Sequence, residues 1–160
     1  MPKTRTASRK SVETRSPVQI VRDAADAMFR AARECCHQHD RVSRVHAKSA
    51  DEGEVKAAQE ACEHCDEVLR SLSTTYEQVA AGVHPTGKDE EWWHKANGLW
   101  LASREYLRHN VGCDDASKEF KEHGPDRLDT LHMEYELEAS SLLALRHAAD
   151  AYKQNRPTAT

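Results

Sequence analysis

The chain has 160 residues, of which 38% are hydrophobic, 6% aromatic and 31% charged, and its formal net charge is −4. This length fits one domain that buries its own core, and the abundance of Ala, Glu, Lys, Leu and Arg favours helices over strands. The chain has no apolar run that could span a membrane and no apolar signal segment at its N-terminus, so the sequence predicts a cytoplasmic protein.

The N-terminal segment differs from the rest in charge. Residues 1–16 carry five Lys or Arg against one Glu, whereas the other 144 residues carry 18 Lys or Arg against 26 acidic residues. We expect residues 1–16 to form a disordered basic arm, followed by a folded domain over residues 17–156. The arm has no interleaved aromatic residues, and the acidic domain behind it would repel DNA. The sequence therefore argues against nucleic acid binding.

The first predicted helix covers residues about 17–48. Ser16 supplies an N-cap and Pro17 a proline at the first helical position. Semi-polar and apolar residues then recur at alternating spacings of four and three, which is the pattern of a helix that buries one face. These inward positions are Val21, Ala25, Met28, Ala32, Cys35, His39, Val42 and His46.

The second predicted helix covers residues about 51–83. It begins at a capping box that starts at either Ser49 or Asp51, and Gly82 marks its end. Its inward positions also alternate between spacings of three and four. They are Val55, Ala58, Cys62, Cys65, Leu69, Leu72, Tyr76, Val79 and Val83.

The remaining segments predict a third helix at about 88–110, a short helix at about 114–122 and a last helix at about 125–155. Asn97 and Gly98 lower the helix propensity in the middle of the third helix. Four amphipathic helices joined by short connections are typical of an all-α protein. We therefore predict an antiparallel up-down-up-down four-helix bundle.

Four of the five cysteines lie in two short segments, ECCHQHD at 34–40 and ACEHCDE at 61–67. If the first two helices fold back on each other, their inward residues in these segments meet at one level of the bundle. These residues are Cys35, His39, Cys62 and Cys65. Three thiolates and an imidazole suit a tetrahedral structural or sensory site for zinc or copper.

Two other interpretations of the cysteines remain open at this stage. Cysteine is a small residue that is readily buried, so the thiols can be inert core residues, or two of them can form a thiol–disulfide pair. If the thiols are inert, the protein is a metal-free interaction module. His109 and His132 are predicted near the same end of the bundle and are candidates for a secondary metal site.

Glu138 falls on the inward face of the last helix, where a carboxylate is costly unless it is paired. The sequence places it level with residues 97–104 and therefore predicts a buried polar contact with Arg104, Tyr76 or Trp100. A less favoured hypothesis is an enzyme that uses Glu138 as a general acid or base.

Trp92 and Trp93 are adjacent, so both cannot face the interior of one helix. One ring should therefore be partly exposed. This is the surface that we expect to contact a protein partner or a second copy of the chain.

Overall fold

The computed structural model describes residues 14–48 and 51–156, and these residues form helices without any strand. The predicted all-α class is thereby confirmed. The α-helices are α1 Pro17–Lys48, α2 Glu52–Ala80, α3 Glu90–His123 and α4 Leu128–Gln154, with 3₁₀ turns at Gly87–Asp89 and Gly124–Arg127. Most of the predicted basic arm, residues 1–13, lies outside the described residues.

The starts of the first two helices follow from their capping residues. Ser16 Oγ accepts a hydrogen bond of 3.2 Å from the backbone N–H of Gln19, and Pro17 opens α1. Asp51 caps α2, because its carboxylate accepts a bond of 2.9 Å from the N–H of Gly53. The alternative box at Ser49 lies outside the described residues. Such caps satisfy backbone donors that a helix start leaves without partners.

The third helix is longer than predicted. Instead of ending near residue 110 and being followed by a short helix at 114–122, α3 runs without a break to His123. Gly112 costs such a helix only about 1 kcal/mol. A Cβ at Gly112 would lie 2.5 Å from Oε2 of Glu134, so the glycine leaves room for the end of that side chain. The helix ends at Gly124, whose φ of 73° favours glycine.

The helices pack most extensively in consecutive pairs, α1 with α2 and α3 with α4, and the two pairs meet through α1–α4 and α2–α3 contacts. The first part of the predicted inward face of α1 is buried: its first five positions are each 0% exposed, and they are Val21, Ala25, Met28, Ala32 and Cys35. The last predicted position, His46, is exposed. On α4 the sequence also places Tyr135 on the inward face, but Tyr135 is 50% exposed. Burial of these apolar positions is the main force that holds the helices together.

Hydrogen-bonded aromatic residues join the two pairs. Trp92 Nε1 donates to the Tyr152 hydroxyl at 3.3 Å, and that hydroxyl donates to Asp26 at 2.6 Å. The Tyr152 ring also lies 5.3 Å from the ring of Phe29. Because Trp92 is only 2% exposed, it cannot form the partner surface predicted for it. Trp93 is the partly exposed ring of the two.

Over the described ranges, each helix is either too short or too polar along its length to cross a lipid bilayer.

Replacing Gly98 with alanine should stabilise the protein. Gly98 is an exposed position inside α3, and an added Cβ would meet no atom within 4 Å. The free energy of unfolding should therefore rise by about 0.5–1 kcal/mol, measured by urea denaturation. The matched control is Gly124→Ala, which should lose at least ~1 kcal/mol because φ there is 73°. Equal effects at the two positions would contradict this account of α3.

Candidate metal centre

A cleft of about 850 Å³ lies between the α1–α2 pair and the α3–α4 pair. All four helices contribute side chains to it. Those with polar or ligating groups include His39, Cys62, Asp66, Asn110, Cys113, Tyr135 and Glu138. The cleft is therefore a polar gap at the junction of the two pairs, in contrast to the aromatic contacts around Tyr152.

Three side chains at the α1–α2 side of the cleft form a group with the chemistry of a metal site. One ligand atom from each of His39, Cys62 and Asp66 lies within 4.8 Å of the other two. Cys62 and Asp66 are four residues apart on α2 and so share one face of that helix. Cys62 is 8% and Asp66 5% exposed, so both are shielded from bulk water.

Hydrogen bonds already hold these groups together. The Tyr106 hydroxyl donates to Asp66 Oδ1 at 2.7 Å and also forms a short hydrogen bond with His39 Nε2. A hydroxyl has one proton, and Tyr106 uses it to donate a hydrogen bond to Asp66. His39 must therefore be the donor in the second hydrogen bond. The Cys35 thiol also donates to Asp66. The Asp66 carboxylate is thus buried with partners from α1 and α3.

The thiols of this region hold their protons strongly. Burial, reinforced by the Asp66 carboxylate, raises the pKa of Cys62 to about 12. Burial and Asp66 likewise raise the pKa of Cys35. A metal ion that binds Cys62 must therefore displace its proton, since the thiolate is the form that ligates.

The structure places the four predicted ligands at three locations. His39 and Cys62 lie together in the cleft, next to Asp66. Cys35 is 0% exposed in the core and bonds to Asp66. Cys65 is only partly buried and lines a separate groove of about 390 Å³ between α1 and α2. All five cysteines are free thiols.

The two histidines predicted as a secondary metal site have different surroundings. His109 lies 3.5 Å from a carboxylate oxygen of Glu105 and 3.8 Å from one of Glu134. His132 is exposed on α4. Among the described residues, the group that could hold an ion contains neither of them.

Glu138 lies in the cleft and not beside Arg104, so that predicted contact is wrong. Its carboxylate accepts hydrogen bonds from the Cys113 thiol and, at 3.5 Å, from Asn110. Arg104 instead pairs with Glu77 at 3.8 Å and is exposed. The error follows from the length of α3, because its continuation to His123 shifts the register of α4 along it. Burial raises the pKa of Glu138.

Sequence reasoning missed two residues of the cleft, Asp66 and Cys113. Asp66 does not fall on the alternating inward positions of the second predicted helix, so the apolar spacing does not mark it as buried. A usable signal was present, since an acidic residue four positions after Cys62 shares the face of an inward cysteine. Cys113 was missed because the predicted third helix stopped before it.

Replacing Tyr106 with phenylalanine should destabilise the protein, because Asp66 would lose its 2.7 Å donor while staying buried. We expect a loss of about 1.5–3 kcal/mol in the free energy of unfolding, measured by urea denaturation. Tyr135→Phe is the matched control. Its hydroxyl contacts Ser117 at 3.2 Å in an exposed position and should matter little. If both variants had the same free energy of unfolding, the buried Tyr106–Asp66 hydrogen bond would not contribute to stability.

The metal-free protein should lose stability at alkaline pH. The folded-state pKa of Cys62 and of Cys113 is raised to about 12 from an ordinary value of 9.0. Between these values the unfolded chain loses the protons that the folded chain keeps, so stability is full below pH 9 and falls above it. The slope is about 1.4 kcal/mol per pH unit for each thiol.

Urea denaturation between pH 7 and pH 10.5, with a chelator present, measures this slope. The variant Cys113→Ala should show a shallower decline than the unmodified chain, because it has one buried thiol fewer. A decline of unchanged steepness would assign the alkaline sensitivity to other groups.

The cluster brings together an imidazole, a thiol and a carboxylate, all of which ligate first-row transition metals. Its hydrogen bonds show that the same atoms also satisfy one another. Comparison with models of protein families, with curated proteins and with solved structures gave no match.

Proposed function

We propose that the protein binds a divalent transition metal ion, zinc by preference, through His39, Cys62 and Asp66. The observation that carries this proposal is the convergence of three different ligating atoms within 4.8 Å of one another at the wall of a cleft. Ligands of one tetrahedral zinc ion lie roughly 3.3–3.8 Å apart, given its bond lengths. His39 Nε2 and Asp66 Oδ1 are 3.9 Å apart, so a small movement would bring them to this separation.

The mixed ligand set favours zinc over copper. Cu(I) prefers thiolate and thioether ligands, whereas zinc accepts nitrogen, sulfur and oxygen together. Cys65, which would have made the set richer in sulfur, lines the separate groove.

Glu138 is the residue best placed to complete the site from the opposite helix pair. It lines the same cleft, and its carboxylate interacts electrostatically with His39. With Glu138 as the fourth ligand, the ion would connect α1 and α2 to α4. That connection suits a sensory or structural role, in which the ion changes how the two helix pairs are joined. With water as the fourth ligand, Glu138 would be a neighbouring base, as in the enzyme hypothesis.

The alternative is a metal-free interaction protein in which the cluster is structural. The hydrogen bonds from Tyr106 to Asp66 and from His39 to Tyr106 support it, because they already satisfy buried polar atoms.

Two broader features belong to the same proposal. We infer an antiparallel up-down-up-down bundle of α1 to α4, supported by packing of each helix on the next and of α1 on α4. We also infer a reducing, cytoplasmic location, supported by the five free thiols.

Zinc should raise the melting temperature of the purified, reduced protein. At about 100 times its dissociation constant, an ion that binds only the folded state adds about 2.7 kcal/mol, which corresponds to roughly 5–10 °C for a chain of this size. Differential scanning fluorimetry with and without zinc measures the shift, and elemental analysis gives the amount bound.

Two single substitutions on α2 make this test specific. Cys62→Ser should abolish the zinc-induced shift, because the hydroxyl is a poor zinc ligand. Cys65→Ser should keep it, since Cys65 lines another groove. If both variants lost the shift, the ligand set with several cysteines would be favoured instead. If the unmodified chain showed no shift, the metal-free alternative would stand.

A further inference from the structure

A third cavity, of about 310 Å³, lies between α2 and α3 and is distinct in chemistry from the cleft. Its lining is dominated by side chains that donate hydrogen bonds. The polar ones that matter here are Arg70, Ser73, Glu77, Trp100, Arg104 and Arg108.

The cavity is positively charged although the chain is acidic. The whole sequence has 27 acidic residues and 23 Lys or Arg. The lining reverses this balance, with three arginines against the single carboxylate of Glu77. Arginine presents a planar fork of N–H donors that matches phosphate and carboxylate groups.

The arginines are held by contacts that an anion can replace at little cost. The Arg104 guanidinium lies over the Trp100 ring at 5.0 Å and 3.8 Å from Glu77. Arg108 pairs with Glu105 at 2.7 Å, and both side chains are more than half exposed. Exposed ion pairs of this kind contribute about 0–1 kcal/mol each. The guanidinium groups are therefore able to turn towards a ligand in the cavity.

Ser73 gives an independent indication of a ligand. It is only 3% exposed, and its hydroxyl oxygen is buried without a hydrogen-bond partner. A helical hydroxyl usually bonds to the carbonyl four residues earlier, as Thr74 and Thr75 do at 3.0 and 3.1 Å. Ser73 does not. An unsatisfied buried hydroxyl lowers the stability of the fold, and a ligand that accepts a hydrogen bond from it would remove this penalty.

Trp100 adds a second unsatisfied donor on the opposite helix. Its indole Nε1 is buried and has no partner, and the residue lines the same cavity. An indole N–H can only donate, so it too requires an acceptor. Two unsatisfied donors and three guanidinium groups around one space define a site in which hydrogen-bond donors outnumber acceptors.

We propose that this cavity binds a small oxyanion with two negative charges, such as a phosphate group. Its oxygens would accept hydrogen bonds from Arg70, Arg104 and Ser73, and the guanidinium groups would attract its negative charge. Arg70 lines both this cavity and the cleft, but the inference does not depend on the zinc proposal, because none of its proposed anion ligands is a proposed zinc ligand.

Thermal stability and calorimetry with inorganic phosphate test this proposal. The full chain is titrated with phosphate in the presence of a chelator, at constant ionic strength, with chloride as the reference anion. Phosphate should raise the melting temperature more than chloride does. A parallel titration with succinate distinguishes a phosphate site from one that accepts any paired oxyanion, and either result supports the proposal.

Two variants locate the site. Arg104→Gln should weaken phosphate binding roughly 10-fold or more, since it removes a charged donor. Ser73→Ala should also weaken it, while the ligand-free variant should be at least as stable as the unmodified chain, because an unsatisfied hydroxyl has been removed. The control Arg41→Gln changes an exposed arginine on α1, outside the cavity, and should leave binding unchanged.

Three results would overturn the proposal. The first is an unmodified chain that responds to phosphate and succinate no more than to chloride. The second is Arg41→Gln reducing binding as much as Arg104→Gln, which would show non-specific attraction. The third is Ser73→Ala destabilising the ligand-free protein, which would show that the hydroxyl is satisfied within the fold.

Discussion

The buried carboxylate of Asp66 is the constraint on which the arrangement around the cleft depends. It is 5% exposed and lies on α2, and its hydrogen-bond donors come from Cys35 on α1 and Tyr106 on α3. An isolated buried charge would be strongly destabilising, so these donors are required for folding as much as for any ligand. Asp66 therefore sets the relative positions of three helices at one level. The aromatic contacts around Tyr152 set them at another level.

Much of the fold could be predicted from the sequence because its helices have clear local signals. Ser16 and Asp51 cap the first two helices as side chains of their type do, and the apolar spacing of α1 correctly gave its buried face. The third helix could not be predicted to the same extent. Val111 and Gly112 resemble a helix end in the sequence, whereas α3 continues through them to His123.

The candidate site was predicted in part, and the errors have one physical origin. His39 and Cys62 were identified because their positions follow from helical spacing within α1 and α2. The residues that complete the cleft come from α3 and α4, and their levels depend on where α3 ends. With α3 extended to His123, Glu138 faces Asn110 and Cys113 instead of Arg104. Local periodicity identifies the face of a residue, but its neighbours on another helix depend on the length of every connection between them.

The single proton of the Tyr106 hydroxyl has a consequence for the proposed zinc site. Because Tyr106 uses that proton in its hydrogen bond to Asp66, His39 Nε2 carries its own proton and donates it in a hydrogen bond to Tyr106. An ion that binds His39 through Nε2 needs that nitrogen without its proton, so such an ion and this hydrogen bond would exclude each other. Metal binding must therefore compete with a contact that stabilises the metal-free protein. The apparent metal affinity equals the intrinsic affinity multiplied by the fraction of molecules in which this contact is broken. The His39–Tyr106 hydrogen bond would act as an internal competitor, so that half-filling of the site would need a higher concentration of free metal.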